Sequence, residues 1–420
     1  MFSAISGLRA HQTKLDVTGN NIANVNTVGF KSSQTTFEDT LSQIMRNGSA
    51  PTATGGGTNP ASVGLGVKVA GITTNFSQGA QQNTGRATDF MISGDGFFVT
   101  KSGTESLYTR AGSFDYDASG KLVTPDGSVL QGWMGKNGTV DTNGAIGDLT
   151  VPFGEVMKPV PSSTAAITGN LSTTGAIAAA GPPVVAGAAF QAQTTMYDSV
   201  GTAHQISYTF TRSSAVKWDI TVKDEAGASL TPSPTAVEFD PVSGAPTAAT
   251  SSFTFAPSTA MAGSWKAPNG SSAASIKIDL SKLTQLGGAT ALAPDKIDGN
   301  GMGSLQSISL SGDGTIMGVY SNSMRQPIGK LALASFANPS GLAKAGNSSY
   351  RVGDNSGQPA IGAANSGGRG SLVSGALEMS NVDLAEEFTG LIVAQRGFQA
   401  NSRVITTSDE ILQDLVQLKR

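Results

Sequence analysis

Histidines, cysteines and closely spaced acids are the side chains with which proteins most often do chemistry, and this chain is poor in all three. It holds two His, at positions 11 and 204, and no Cys. It contains no G-x-S-x-G elbow and no H-E-x-x-H helix. His11 falls in a helical pattern and His204 in a turn before a strand, neither beside a nucleophile and an orienting acid, so both read as structural or exposed polar residues. Lack of Cys excludes disulfides, thiolate chemistry and Cys-ligated metals. The segment DYDASGKLVTPD, Asp115 to Asp126, offers oxygens at loop positions 1, 3, 5 and 12 with Gly at 6, as a calcium loop does. Its flanks alternate like strands, however, and position 12 is Asp rather than a bidentate Glu, so a tight hairpin turn is expected. The SGDG tetrads Ser93 to Gly96 and Ser311 to Gly314, and GGGTNP at Gly55 to Pro60, lack the G-K-[ST] continuation of a phosphate cradle and read as turns and linker. No pair of carboxylates is nominated for acid–base work. The expectation is no enzyme, no cofactor and no metal.

Composition points the same way. Of 420 residues, 53 are Gly and 18 are Pro, a turn-rich but foldable content, and the length suits two to four domains. Charged residues make up 14%, against roughly 25% in ordinary chains, so the surface rests on Ser, Thr, Asn and Gln and favours self-contact. With a formal net charge of −3 and no basic cluster, nucleic acid is not an expected partner. Arg9, His11 and Lys14 break the first apolar stretch before it reaches signal-peptide length. The weakly apolar run Ala176 to Phe190 is interrupted by Gly and Pro and falls short of a bilayer span. No membrane insertion is expected, and any export would proceed without a cleaved signal.

What positions these residues is an asymmetric chain with helical ends and strands between. Ile5, Leu8, Leu15 and Ile22 form one narrow stripe once Gln12 and Gly19 are counted as seam positions. Leu384, Phe388, Leu391, Gln395, Phe398, Ser402, Ile405, Ser408, Leu412, Leu415 and Leu418 keep a similar rhythm, widened by Ile392, Val404 and Ile411. Ser380 with Asp383 reads as a capping-box-like start, and Lys419 and Arg420 complement the far end of the helix. A helix from Val382 to Leu418 would be about 55 Å long, more than its own domain requires. Interior Gly7, Gly19, Gly390 and Gly397 weaken both helices, so the ends are expected to be loose in a lone molecule; the alternative is that they pair with each other.

Residues 31–72 read as a linker or long hairpin, 73–160 with 303–375 as a first β domain, and 161–302 as an outer β domain inserted into it; 1–30 with 376–420 form the terminal helical domain. The segments Phe90 to Ile92 and Phe97 to Val99, then Phe114 to Tyr116 and Lys121 to Thr124, read as successive hairpins. The fold class is therefore multi-domain: α-helical coiled-coil termini plus two mainly-β domains.

The stretch LDVTGNNIANVNTVGFK, Leu15 to Lys31, resembles the amino-terminal signature of the axial proteins of the bacterial flagellum, the rod, hook and hook-associated family. Its core is Ala23, Asn24, Asn26, Thr27, Gly29, Phe30 and Lys31, where Asn and Gly end the helix and Phe30 anchors the next turn. The run from Ser380 to Val416 is similar to the family's other end. SGDGFFV, YTRAGSFDYDASGKLVTPDGSVLQGW and MYDSVGTAHQISYTF resemble the hook members in particular, and the large insert argues against rod members, which are expected to be much shorter. The alanine-rich stretch 175–190 matches no known pattern.

The resemblance implies a structural subunit that polymerises into a curved, flexible hollow tube, with helices stacked inside, β domains outside, and torque passing from rod to filament as through a universal joint. It implies as partners further copies of the chain, a distal rod protein, a hook-cap protein, the first hook-filament junction protein and the flagellar type III export apparatus. Localisation would be the hook of the basal body. The expected assembly residues are Ile5, Leu8, Leu15, Ile22, Asn24, Asn26, Gly29, Phe30, Leu384, Phe388, Leu391, Phe398, Ile405, Leu412 and Leu415. A distal rod protein is the alternative within the family. A secreted adhesin holding glycan on Tyr197, Tyr208, Trp218 and Trp265 is the alternative outside it.

Overall fold

In the computed structural model, residues 2–48, 50, 51, 55–136, 138–179, 185–257 and 275–417 are described. Trp265, Leu418, Lys419, Arg420 and residues 180–184 of the alanine-rich stretch lie outside them. The chain divides into two compact units. The first comprises Met1–Pro152, Ile308–Gly318 and Gln326–Arg420; the second comprises Phe153–Ser307 and Val319–Arg325.

The first unit carries both helices, α1 (Phe2–Ala23) and α2 (Leu384–Gln417). Asp383 starts α2: its Oδ1 accepts the Ala385 N–H at 2.8 Å, with Glu386 and Glu387 in the first turn where the helix dipole favours acids. Ser380 does not take the capping role the sequence suggested; its Oγ accepts only the Val382 N–H just before the helix. At the end of α1 the chain turns through Gly29, whose φ of +67° an L side chain rarely adopts.

A long two-stranded hairpin follows, Ser33–Asp39 pairing with Val67–Thr74 and, further out, Ser42–Arg46 with Ala61–Gly64. The main sheet is antiparallel, in the order Arg325–Leu331, Val129–Met134, Phe97–Ser102, Glu105–Thr109, Ser349–Arg351, Ala343–Gly346. Its alternating residues build two cores, one on Phe98, Leu130 and Leu331 joined by Phe90 and Phe114 from outside these strands, the other on Phe97, Tyr108, Trp133 and Tyr350. One local expectation fails. Phe90–Ser93 does not form a hairpin with Phe97–Ser102 but pairs with the distant Ser371–Ser374, because Gly94 and Gly96, both at positive φ, let the intervening SGDG turn redirect the chain.

The second unit is built from two five-stranded sheets. One holds Ala189–Tyr197, Ala203–Arg212 and Lys217–Lys223 side by side, with Ser229–Leu230 and Ala236–Glu238 beside the last. The other centres on Thr164–Ser172, flanked in parallel by Ile276–Asp279 and Leu283–Leu286 and antiparallel by Ala291–Ile297. Strand Ala203–Arg212 alternates buried and less buried residues along its whole length. Inward side chains of both sheets, among them Ile167, Tyr208, Phe210, Trp218, Phe253 and Ile278, form one core.

Candidate assembly interface

The two helices run antiparallel in a constant register. Gly7 lies against Asn401, His11 against Gly397, and the Asn21 Nδ2 donates to the Glu387 Oε1 at 2.6 Å. The closest approach is made at small residues: Gly7 is buried on α1 and Ala394 on α2, while Ala10, also buried, lies beside the hairpin strand Val67–Thr74. A Cβ on Gly7 would stand 2.7 Å from the Asn401 amide nitrogen, and one on Gly397 would stand 2.5 Å from the His11 ring. Interior glycines that weaken each helix alone thus permit the close approach of the pair. The pairing of the two ends within one chain, the alternative left open by the sequence, is the arrangement found.

The bulky residues of the two stripes take different places. Leu8, Leu15, Ile22, Leu391 and Ile405 are half-buried. Ile5 (39% exposed), Leu384 (40%), Phe388 (51%), Phe398 (37%), Leu412 (48%) and Leu415 (62%) remain open, as do Ile392, Val404 and Ile411. An apolar stripe therefore runs along the outside of α2 with nothing of the first unit covering it. Asn24 caps the exit of α1, its Nδ2 donating to the Asn20 carbonyl at 2.9 Å and its Oδ1 accepting from Thr27, whereas Asn26 is exposed. Gly29 is buried; a Cβ there would collide with the Ala111 backbone. Phe30 is half-buried under Lys344, whose Nζ sits 5.7 Å from the ring centroid.

Lys31, the last residue of the amino-terminal signature, leads to a buried clasp the sequence reading did not assemble. Its ammonium donates to the Glu378 Oε1 at 2.6 Å and the Ser77 carbonyl at 2.7 Å, with both charged side chains wholly buried. Arg110 approaches the other Glu378 oxygen at 3.4 Å, and the Gly79 N–H donates to Oε1 at 2.9 Å. Burial pushes the pKa values of Lys31 and Arg110 down, opposed in both by the Glu378 carboxylate. The Gly29 N–H donates to the Glu378 carbonyl at 2.8 Å. Close by, Asn21 exchanges two hydrogen bonds with the Ser33 backbone, and the Asn381 Oδ1 accepts the Ser32 N–H at 2.8 Å. The exit of α1 and the entry of α2 are thereby tied to one point. A lone acid in the apolar run SGALEM was the available signal for Glu378.

Around this site no group of His, Cys, Asp and Glu suited to a metal occurs among the described residues, and no described helix is long and apolar enough to cross a membrane. The Asp115–Asp126 segment forms a hairpin, Asp115–Tyr116 pairing with Leu122–Val123, and the Asp117 carboxylate accepts from Ser119 and Lys121.

Four family descriptions match: "Flagella basal body rod protein" over residues 1–31, "Flagellar hook protein FlgE/F/G D1 domain" over 91–178, "Flagellar basal body protein FlaE D2 domain" over 170–300 and "Flagellar basal body rod FlgEFG protein C-terminal" over 373–418. The flagellar hook protein FlgE of Borreliella burgdorferi is 38% identical, the alignment covering 100% of this chain and 99% of that one. That of Salmonella typhimurium is 35% identical over 99% of each. The flagellar basal-body rod protein FlgG of Bacillus subtilis is 32% identical over 100% of this chain and 98% of its own length. A rod-named relative of this size removes length as a criterion, and the expectation that rod members are much shorter does not hold for it. The crystal structure of Helicobacter pylori flagellar hook protein FlgE2 shares the fold with a TM-score of 0.50 and 14% identity, covering 71% of this chain and 100% of that one. With matched segments at both ends and in both β regions, and full-length relatives above 30% identity, the chain belongs to the flagellar hook protein family.

Proposed function

We propose that this chain is the building block of a hook: a curved, flexible, hollow tube that passes torque from rod to filament as a universal joint. The observation that carries this is the uncovered apolar stripe of α2. Phe388, Ile392, Leu412 and Leu415, each about half exposed, lie along this one helix, the first two where it is paired with α1 and the last two beyond the start of α1. Burying such side chains is worth roughly 1.5–3 kcal/mol each, a large gain per subunit for a stripe repeated along a tube.

In this arrangement the paired helices line the inner tube as coiled coils and the β units form its outer layers, the second unit as an insert in the first. The fifteen assembly residues named from the sequence divide accordingly. Leu8, Leu15, Ile22, Leu391 and Ile405 hold the pair; Asn24, Gly29 and Phe30 set the exit of α1; Ile5, Asn26, Leu384, Phe388, Phe398, Leu412 and Leu415 face neighbouring copies. The tube would grow on a distal rod protein beneath a hook-cap protein, receive the first hook-filament junction protein, and draw its subunits through the flagellar type III export apparatus without a cleaved signal. The family is a structural one, and no catalytic role is proposed.

The test is growth on isolated rods, followed by electron microscopy with antibody to this chain. Bendable tubes are expected from the full chain and none from a chain lacking residues 1–30; straight, rigid tubes would instead favour the distal rod. The glycan-binding alternative loses support because Tyr208 and Trp218 are fully buried in the core of the second unit.

A further inference from the structure

The register of the helix pair leaves part of α2 without a partner among the described residues of its own chain. With Gly7 against Asn401 and His11 against Gly397, Phe2, the first described residue of α1, stands level with about Thr406. Residues 407–417 therefore run past α1 by roughly 16 Å. From Asp409 to Gln417 every residue is exposed. This overhang carries two kinds of side chain: Ile411, Leu412, Leu415 and Val416, which are 48–70% exposed, and the acids Asp409, Glu410 and Asp414.

A complementary surface lies on the opposite flank of α1. Where α1 meets the root of the long hairpin there is a groove of about 320 Å³ whose apolar walls include Phe2, Ile5, Val67 and Val69. Its rim carries Arg9 and Lys68. Lys68 pairs with Glu38 at 2.6 Å, whereas Arg9 has no ion-pair partner among the described residues. Phe2 is 85% exposed at the mouth. The groove is apolar with a spare positive charge; the described residues of the overhang are apolar with three negative charges among them.

We propose that the overhang of one copy seats in the α1–hairpin groove of the next, its apolar residues against Ile5 and Val69 and its acids against Arg9. This rests on the polymer reading above and specifies the contact that propagates it. The overhang cannot reach the groove of its own chain, because a continuous helix leads it away past Phe2. Overhang and groove are different surfaces, so the contact is head-to-tail and passes from copy to copy instead of pairing two copies off, as a tube requires. The occupant is a second copy.

The absence of Cys gives a clean background for the test. Full-length chains carrying Ile5→Cys or Leu412→Cys, both at exposed positions, are mixed, grown on rods, oxidised, and analysed by mass spectrometry for the linked peptides. An Ile5→Cys to Leu412→Cys disulfide is expected in the tubes and not in dilute monomer. In parallel, Arg9→Glu should slow elongation at least tenfold with the thermal midpoint of the monomer unchanged, and combining it with Asp409→Arg and Asp414→Arg should restore growth. Tubes whose only disulfide joins two Leu412→Cys positions, or tubes that elongate normally with Arg9→Glu, would overturn this contact while leaving the polymer intact. Failure of the unmodified chain to form any tube on rods would instead overturn the polymer reading, and this contact with it.

Discussion

The second unit and the helix pair handle their apolar residues in opposite ways. In the second unit Trp218, Tyr208 and Phe210 are 0% exposed, drawn inward from two sheets that face each other. In the helix pair, the closest contacts fall at Gly7 and Gly397, with Ala394 buried, while Phe388 and Leu415 stay 51% and 62% exposed. A domain that buries its large side chains is complete alone. A helix pair that closes on small residues and turns its large ones outward is folded yet unfinished. The contrast separates what keeps the monomer folded from what is held in reserve for neighbours.

Substitutions should therefore fall into two classes on the scale of monomer stability. Trp218→Ala has the largest expected effect, destabilising the second unit by about 3–5 kcal/mol through the cavity it leaves. Thermal unfolding followed by intrinsic fluorescence should show that transition alone moving, with helical circular dichroism retained. Glu378→Gln comes next. It leaves Lys31 and Arg110 buried without their carboxylate, which for a broken buried pair costs roughly 3 kcal/mol or more. Its signature should be loss of helical signal at lower temperature, since the clasp ties α1 to α2. If instead the β transition moved and the helices did not, the clasp would belong to the sheet rather than to the terminal pair.

Much of this contrast was legible in the sequence, and what was not has a physical reason. Periodicity placed the second helix within two residues of its observed ends and put the stripe Ile5 to Ile22 inside the first, because a 3.6-residue rhythm survives in any context. In the second unit, Ile206, Tyr208 and Phe210, and likewise Trp218, Ile220 and Val222, recur every second residue, a strand rhythm that the structure turns inward. Rhythm alone does not say which face of a stripe meets the chain's own partner. That was set by Gly7 and Gly397, whose value lies in the absent Cβ and emerges only with Asn401 and His11 opposite. The clasp was hidden because its members, Lys31, Arg110 and Glu378, are separated by up to 347 residues. The partnership of Phe90–Ser93 with Ser371–Ser374 was equally non-local, and a local grammar of turns naturally joined it to its neighbour instead.

Outward residues provide the sharper test of the comparison. Phe388→Ser and Leu415→Ser each remove an exposed apolar group, so monomer stability should change by no more than about 0.5 kcal/mol, the usual scale for surface positions. Tube growth on rods, measured by length distributions in electron micrographs, should nevertheless fall steeply. A loss of monomer stability matching that of Glu378→Gln would show that the stripe serves the fold and not the neighbours.

The smallest expected effect concerns pH and the seam itself. His11 lies against Gly397 and edge-on to Phe37, with ring centroids 5.7 Å apart, and its buried Nδ1 has no hydrogen-bond partner among the described residues. Burial first, and the nearby Lys14 charge second, hold its pKa below the ordinary 6.5. The unfolded chain then binds a proton more readily than the folded one, so this contribution to stability is complete above pH 6.5 and is lost as pH falls below it. Comparing thermal midpoints of the helix transition at pH 7.5 and 5.5 in the wild type and in His11→Gln separates the contribution of this histidine from that of the carboxylates, which titrate lower. The drop on acidification should be smaller in the variant. An equal drop would place the acid sensitivity outside the seam, and the small-residue packing of α1 on α2 would then be insensitive to protonation at its one titratable ring.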